Sequence, residues 1–350
     1  FTEEVNSQAR APFVPSGGVV FDGVIATDSL SGFVQTTYQF TDNFGVTLGG
    51  RYQREKRSIV DSRSYLQLAD GGRGALLFDS TDKSQFPDLT SKKFAPKVSF
   101  EYRPIDEVLT YATWQKAQKS GTYNVINVID TADEVLPEDI EAYEVGAKSD
   151  LLGGLLKLNG AAFYYKQKNL QVQFVSLLAG GAIRFQNADS ASVKGAEFDL
   201  VADLFPDLLN GVYLTTSAAY LDAVFEKYEN AAGFDEETGL YGENGNYTGN
   251  RIPRSPEWSG RVGLNKIFDF DVSRIEIAGD YYYNAGYFTS ASNNSASEQS
   301  AYEVVNVRAS YQYDPYGLTI ATYLRNVLDE EYSISKLNTD FGTLTGLAAP

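Results

Sequence analysis

Polar and apolar residues alternate along most of this chain in blocks of about ten, the period of extended backbone with two unlike faces. The pattern predicts twelve strands, at 32–40, 44–55, 94–102, 108–117, 140–148, 154–167, 182–203, 211–225, 257–268, 273–287, 301–313 and 317–327. Their connections sort by length. Short ones are Thr41–Asn43, Arg103–Glu107, Ser149–Gly153, Pro206–Asn210, Asp269–Val272 and Asp314–Gly317. These carry the Asp, Asn, Pro and Gly that suit tight turns. Between them lie much longer segments, such as Arg57–Lys93 and Glu226–Pro256.

Each strand divides into two faces. Val46, Leu48, Gly50 and Tyr52 oppose Thr47, Gly49, Arg51, Gln53 and Glu55. Val98 and Phe100 oppose Lys97, Ser99 and Glu101, and Val307 and Ala309 oppose Arg308 and Ser310. A soluble antiparallel sheet and a membrane-spanning barrel both produce such alternation. In a barrel, a Lys or Arg facing lipid at mid-bilayer costs about 2–4 kcal/mol, so the charged face would line the lumen. Lys194 breaks the rule by sharing parity with Ala196, Phe198 and Leu200; a position near the membrane interface would let it snorkel.

Composition narrows the chemistry. The 350 residues include 24 Tyr and 21 Phe, and aromatics gather toward strand ends at Phe40, Phe100, Tyr102, Trp258, Phe268, Tyr311 and Tyr313. Interface girdles place them there. No apolar run is long enough for a membrane helix, a test to which β-barrels are invisible. A net charge of −17 argues against a nucleic-acid partner. With no His and no Cys, Ser-His-Asp and Cys-His catalysis are excluded within the chain, as are disulfides. Phe1 is not a translation start, and the polar FTEEVNSQARAPFVPSGG that follows from it has no signal-peptide core. The expectation is therefore a region of a longer exported polypeptide.

Other candidate chemistry is weak. Adjacent carboxylates such as Glu138-Asp139 and Asp329-Glu330-Glu331 read as solvated loop charge, since acid-base work needs two in one protected pocket. The run GFDEETGLYGENGNYTGN lacks the spacing of an EF-hand. The Gly-Gly pairs have no P-loop lysine. No cofactor or metal site is expected.

Five segments carry a resemblance. RNVLDEEY at Arg325–Tyr332 resembles the box that precedes the final strand of TonB-dependent outer-membrane receptors. Upstream, in the family's order, stand SGTYN from Ser120, LPEDIEAYEVGAKSDLLGGLLKLNGAAFYY from Leu136, NADSASVKGAEFDL from Asn187 and GNRIPRSPEW from Gly249. The resemblance covers roughly residues 29–350, with 1–28 read as an extracellular loop segment. It implies an all-β fold, a transmembrane antiparallel barrel of which this chain supplies about twelve strands out of 22. Short turns would face the periplasm and long loops the outside. The family's plug, energy-coupling box and last strand are not in this sequence.

The function so implied is TonB-energised import of a scarce substrate across a Gram-negative outer membrane, without covalent catalysis. Ferric siderophore leads among cargoes, with cobalamin or an oligosaccharide as competitors. Expected partners are the TonB complex, acting through the plug, outer-membrane lipid, and a small chelate or glycan. The acidic outer loops favour neutral or cationic cargo. Candidate substrate contacts are Tyr123, Tyr241, Tyr247, Arg251, Tyr287 and Phe288; candidate lumen or plug contacts are Arg51, Lys97, Glu101, Glu144, Lys148, Glu197, Asp199 and Arg308. A passive porin-like channel and a surface adhesin or structural barrel remain the alternatives.

Overall fold

The computed structural model describes residues 2–14, 17–126, 131–176, 182–204, 211–234, 241–339 and 342–347, with side chains for 18–126, 131–175, 183–204, 211–233 and 244–336. Strands β1 (Thr2–Val14), β2 (Gly17–Thr41) and β3 (Phe44–Gln67) form successive hairpins, and β4 (Arg73–Asp79) folds back on β3. β5 (Leu89–Ile105) and β6 (Val108–Lys119) follow, then a small hairpin of β7 (Thr122–Asn124) and β8 (Asp133–Val135). β9 (Glu138–Leu151), β10 (Leu156–Ser176), β11 (Ala182–Asp203) and β12 (Val212–Lys227) continue the wall. A second hairpin, β13 (Ala231–Phe234) and β14 (Tyr241–Gly245), precedes β15 (Trp258–Phe270) and β16 (Ser273–Asn284). The short pair β17 (Tyr287–Phe288) and β18 (Glu298–Gln299) leads to β19 (Tyr302–Tyr313) and β20 (Leu318–Leu324). A last hairpin is β21 (Ser333–Thr339) and β22 (Gly342–Leu347).

One antiparallel sheet runs in sequence order from β1 to β20, with the small hairpins lying off it at the long-loop end. Five of the six expected tight turns fall where the sequence placed them; the sixth, Pro206–Asn210, lies outside the described residues. The last of the five closes on Gly317, whose φ of 59° is left-handed and suits glycine. Within the expected loop segment 1–28, residues 2–14 and 17–28 pair as antiparallel strands, registered Val5 to Ile25, and the second lengthens the expected strand 32–40 back to Gly17. Strand β3 likewise runs twelve residues past the expected 44–55. There the alternation is lost, but Ile59, Ser62 and Ser64 are buried by the folded loops.

Register carries the two faces across the sheet. Leu48 lies opposite Val98, and Val46 opposite Phe100. Val307 pairs with Gly279, and Ala309 with Ile277. This face exposes Leu48, Val145, Leu264 and Ile320 at 53, 55, 52 and 60 %. A water-soluble sheet does not present a continuous apolar band of this kind. Rings cluster at its short-turn end: Tyr38 on Phe40 at 4.7 Å, Phe40 on Phe44 at 5.8 Å, and Tyr313 on Tyr316 at 5.6 Å. Lys194, the exception in parity, stands 3.9 Å from Asp222 on the neighbouring strand.

Among the described residues, the buried apolar clusters gather at the long-loop ends of the wall strands and in the connections above them. One gathers Val172, Ala188, Ala191, Phe225, Tyr228, Ala231, Tyr247 and Ala291, and another Ile59, Phe86, Tyr123 and Ala132.

Candidate functional site

The polar face is stitched by side chains that register brings side by side. Thr37 and Thr47 share a hydrogen bond at 2.8 Å, Thr47 donates to Glu101 at 3.4 Å, and Ser99 meets Thr113 at 2.7 Å. Tyr111 donates to Glu144 at 2.7 Å, and the Lys148 ammonium lies 5.9 Å from the same ring. Arg51 donates to Ser31 at 3.1 Å, and Arg308 stands 5.7 Å from the Tyr323 ring. The side chains of Lys97, Glu197 and Asp199 make no hydrogen bond or ion pair among the described residues. All eight residues expected on this face share it, because each pairs in register with another of the same parity. Arg261, Asp280 and Asn306 extend it, with Arg261 2.7 Å and Asn306 2.9 Å from the Asp280 carboxylate.

The residues expected to touch substrate fare differently. Tyr123 is buried at 7 %, its ring edge-on to Phe86 and its hydroxyl donating to the Pro87 carbonyl at 2.8 Å. Burial pushes its phenol pKa up, as desolvation disfavours phenolate. Tyr247 is buried at 8 % and meets Tyr228 edge-on at 5.6 Å. Arg251 donates to the carbonyls of Leu221 and Ser255 at 3.0 and 3.2 Å and lies 3.5 Å from Glu257. Asn293 closes on the Arg251 backbone from both sides. These three side chains hold the loops together. Tyr287 is half-buried and donates to the Ser333 carbonyl at 3.3 Å; Phe288 is half-buried beside it and accepts the Arg254 amide through its carbonyl. The side chain of Tyr241 lies outside the described residues.

Between these loops opens a cavity of about 460 Å³. Gln171, Gln173, Tyr228, Arg254, Thr289 and Lys336 supply its polar lining, over an apolar floor that includes Val172 and Phe225. Two cations and no carboxylate line it among the described residues, in a chain whose net charge is −17. Lys336 donates to the Glu298 carbonyl. Arg254 is exposed, makes no side-chain hydrogen bond or ion pair, and sits at a φ of 61°. That left-handed backbone is uncommon away from Gly, Asn and Asp, and such positions gather at ligand sites. Neither cation was singled out from the sequence. Arg254 stands three residues past Arg251 within the GNRIPRSPEW segment, whereas Lys336 carries no local signal.

None of the candidate contacts lines this cavity among the described residues; Tyr247 packs behind the lining residue Tyr228, Arg251 precedes Ile252, and Phe288 adjoins Thr289 and accepts from the Arg254 amide. Size and lining suit a small molecule that is apolar in part and bears negative charge.

The profile of the TonB dependent receptor-like, beta-barrel family matches residues 2–327. The metal-pseudopaline receptor CntO of Pseudomonas aeruginosa is 26% identical over 310 residues, which cover 87% of this chain and 37% of that protein. The pesticin receptor of Yersinia pestis is 21% identical over 344 residues, covering 94% of this chain and 43% of the relative. The chain thus spans less than half the length of these curated relatives. In structure it superposes on the ferric yersiniabactin uptake receptor FyuA of Yersinia pestis with a TM-score of 0.74, at 17% identity, over 99% of this chain and 47% of that one. Sequence-ordered antiparallel strands, an exposed apolar band and sorted loops agree with that match. The chain belongs to the TonB-dependent receptor-like β-barrel family, proteins of the Gram-negative outer membrane.

Proposed function

We propose that this chain is the wall and loop crown of a TonB-energised importer of a metal chelate, with a ferric siderophore as the leading cargo. One observation carries the reading: the loop cavity holds Arg254 and Lys336 and no carboxylate among the described residues, over an apolar floor. Metal chelates built from carboxylates, catechols or hydroxamates combine anionic oxygens with apolar frames, and a site with a few charged groups on an apolar base complements them. The relative from Pseudomonas aeruginosa, by its name a receptor for a metal chelate, supports the same class. The acidic side chains of the loop run, which favoured neutral or cationic cargo, lie outside the described residues.

In this reading the polar face lines the lumen. Lys97, Glu197 and Asp199, without side-chain partners in the wall, dock the plug, and the TonB complex pulls that plug to open the path. The gating step needs only rearranged hydrogen bonds and ion pairs.

Uptake of radiolabelled iron, nickel, zinc and cobalt chelates by the source cells tests this, compared with cells lacking the gene and cells lacking TonB. Chelate uptake that falls in both deletions supports the proposal. Chelate uptake that survives both, with uptake of cobalamin or an oligosaccharide lost instead, overturns the cargo class. Gene-dependent but TonB-independent uptake would make the protein a passive channel.

A further inference from the structure

On the polar face of β15, β16, β19 and β20 opens a second cavity, of about 410 Å³. Arg261, Arg308 and Arg325 line it, together with Asp280, Asn306 and Tyr323. Register fixes most of these places. Asp280 is opposite Asn306, and Arg308 lies between Ala278 and Tyr323 on its two neighbouring strands. Arg325 stands just past the end of β20.

Charge in this cavity is unbalanced. Its one carboxylate, Asp280, is shared by Arg261 at 2.7 Å and Asn306 at 2.9 Å. Further down the same face, Glu276 accepts from Asn265 at 3.0 Å and Asp269 from Arg274 at 2.6 Å. Arg308 and Arg325 are exposed, and neither makes a side-chain hydrogen bond or ion pair among the described residues. Arg308 has a ring contact instead, with Tyr323 at 5.7 Å. Two guanidinium groups therefore face one cavity without a counter-charge, in a chain that is strongly acidic overall.

Position gives this charge a meaning. β15 begins soon after Arg254, and β20 ends shortly before Lys336, so the strands beside this cavity run down from the two cations of the loop cavity. From Tyr302, at the loop end of β19, to Arg308 is roughly 20 Å of extended strand. Guanidinium forks hold carboxylate, phenolate or phosphate oxygens in pairs, and unpaired cations on a wall concentrate anions beside it.

We propose that Arg308 and Arg325, with Arg261 beside them, form a second anion site on the lumen wall, which an anionic metal chelate meets after leaving the loop cavity. The anion site stands on the geometry of these side chains. Its use by a chelate rests on the function proposed above. Descent along β15–β20 then passes the cargo from one pair of cations to another, so the anion is never left facing an uncompensated acidic wall.

The test uses the full-length protein with its plug, crystallised and soaked in millimolar sodium selenate, whose anomalous signal locates the anion. A selenium peak within hydrogen-bond reach of the Arg308 and Arg325 guanidiniums is expected, and it should vanish in Arg308→Gln/Arg325→Gln. Arg308→Lys, which keeps the charge, should retain part of it. An empty cavity overturns the proposal, as does a protein carboxylate seated on both guanidiniums, which would make them contacts of the plug or of a neighbouring strand. In cells, the double variant is expected to bind the imported chelate at the surface as tightly as wild type but to import it ~10-fold more slowly. Arg274→Gln, at the short-turn end of the same wall, should change neither quantity. Heat-modifiable migration of each variant confirms a folded barrel. Unchanged import in the folded double variant overturns the transit role and leaves an adventitious ion only. If wild type imports no metal chelate, the cargo class fails and this role with it, and the selenate peak alone then reports whether the anion site exists.

Discussion

Tyr111 and Glu144 meet at 2.7 Å across the β6–β9 pair because the tyrosine lies over Gly146, its partner in register. A Cβ added at Gly146 would stand 2.6 Å from the Tyr111 hydroxyl and 2.8 Å from the Gly160 carbonyl. The glycine is thus the space that lets an aromatic ring lie flat on the polar face and aim its hydroxyl at a carboxylate.

Gly146→Ala is expected to destabilise the barrel by about 1–3 kcal/mol, the usual cost of overpacking, read as a lower urea midpoint for the refolded full-length protein. Tyr111→Phe in that background should recover only part of the loss, since the ring carbon Cζ, 2.7 Å from the added Cβ, and the Gly160 carbonyl stay in the way. Full recovery would show that the hydroxyl alone makes the clash.

Arg251→Ala should loosen the loop crown without emptying the cavity of its charge. It removes hydrogen bonds from a cation to two carbonyls and an ion pair to Glu257, together worth about 2–4 kcal/mol. The expected result is faster proteolysis within 221–257, with the wall's heat-modifiable migration unchanged.

Arg254→Ala should do the reverse. Its side chain faces the cavity and holds nothing else, so chelate affinity is expected to fall by ~10-fold or more while proteolysis and unfolding are unaltered. Lys336→Ala should weaken affinity in the same direction. Unchanged affinity in both variants would remove the cavity from the uptake path.

Asp88, just before β5, accepts from Lys56 at 2.7 Å and Lys83 at 2.9 Å, and these two ammonium groups hold its carboxyl far below the ordinary carboxylate range. A depressed folded-state pKa gives stability that is fully present above the unfolded value near ~3.9. That stability drains away as pH falls from there through the folded value. Hydrogen exchange across residues 80–89 should therefore stay slow at pH 5 and quicken below about pH 4. In Asp88→Asn the quickening should be absent, with exchange already fast at neutral pH.

Much of the wall could be read before any coordinates. Thr41–Asn43 and Asp314–Gly317 were legible as turns because their chemistry is local, and Val46, Leu48 and Arg51 because parity along a strand is rigid. The loops had no such rule. Tyr123 and Tyr247 were expected at the ligand since aromatics in loops often bind. Here their loops fold into apolar clusters of their own, and those rings form the filling. Arg254 was passed over for Arg251 because the two are alike in sequence. Only the fold turns one toward backbone carbonyls and the other toward open space.

The apolar clusters among the described residues lie at the long-loop ends of the wall strands and in the connections above them, clear of the lipid-facing band. Wall and crown are accordingly held by different solvents: lipid around the strands, and water excluded from the crown. Chaotropes that weaken apolar burial in water act on the crown first. The molecule should then melt in two stages, losing its crown while the barrel still stands. That separation leaves the crown free to be rebuilt for a new cargo without disturbing insertion into the membrane.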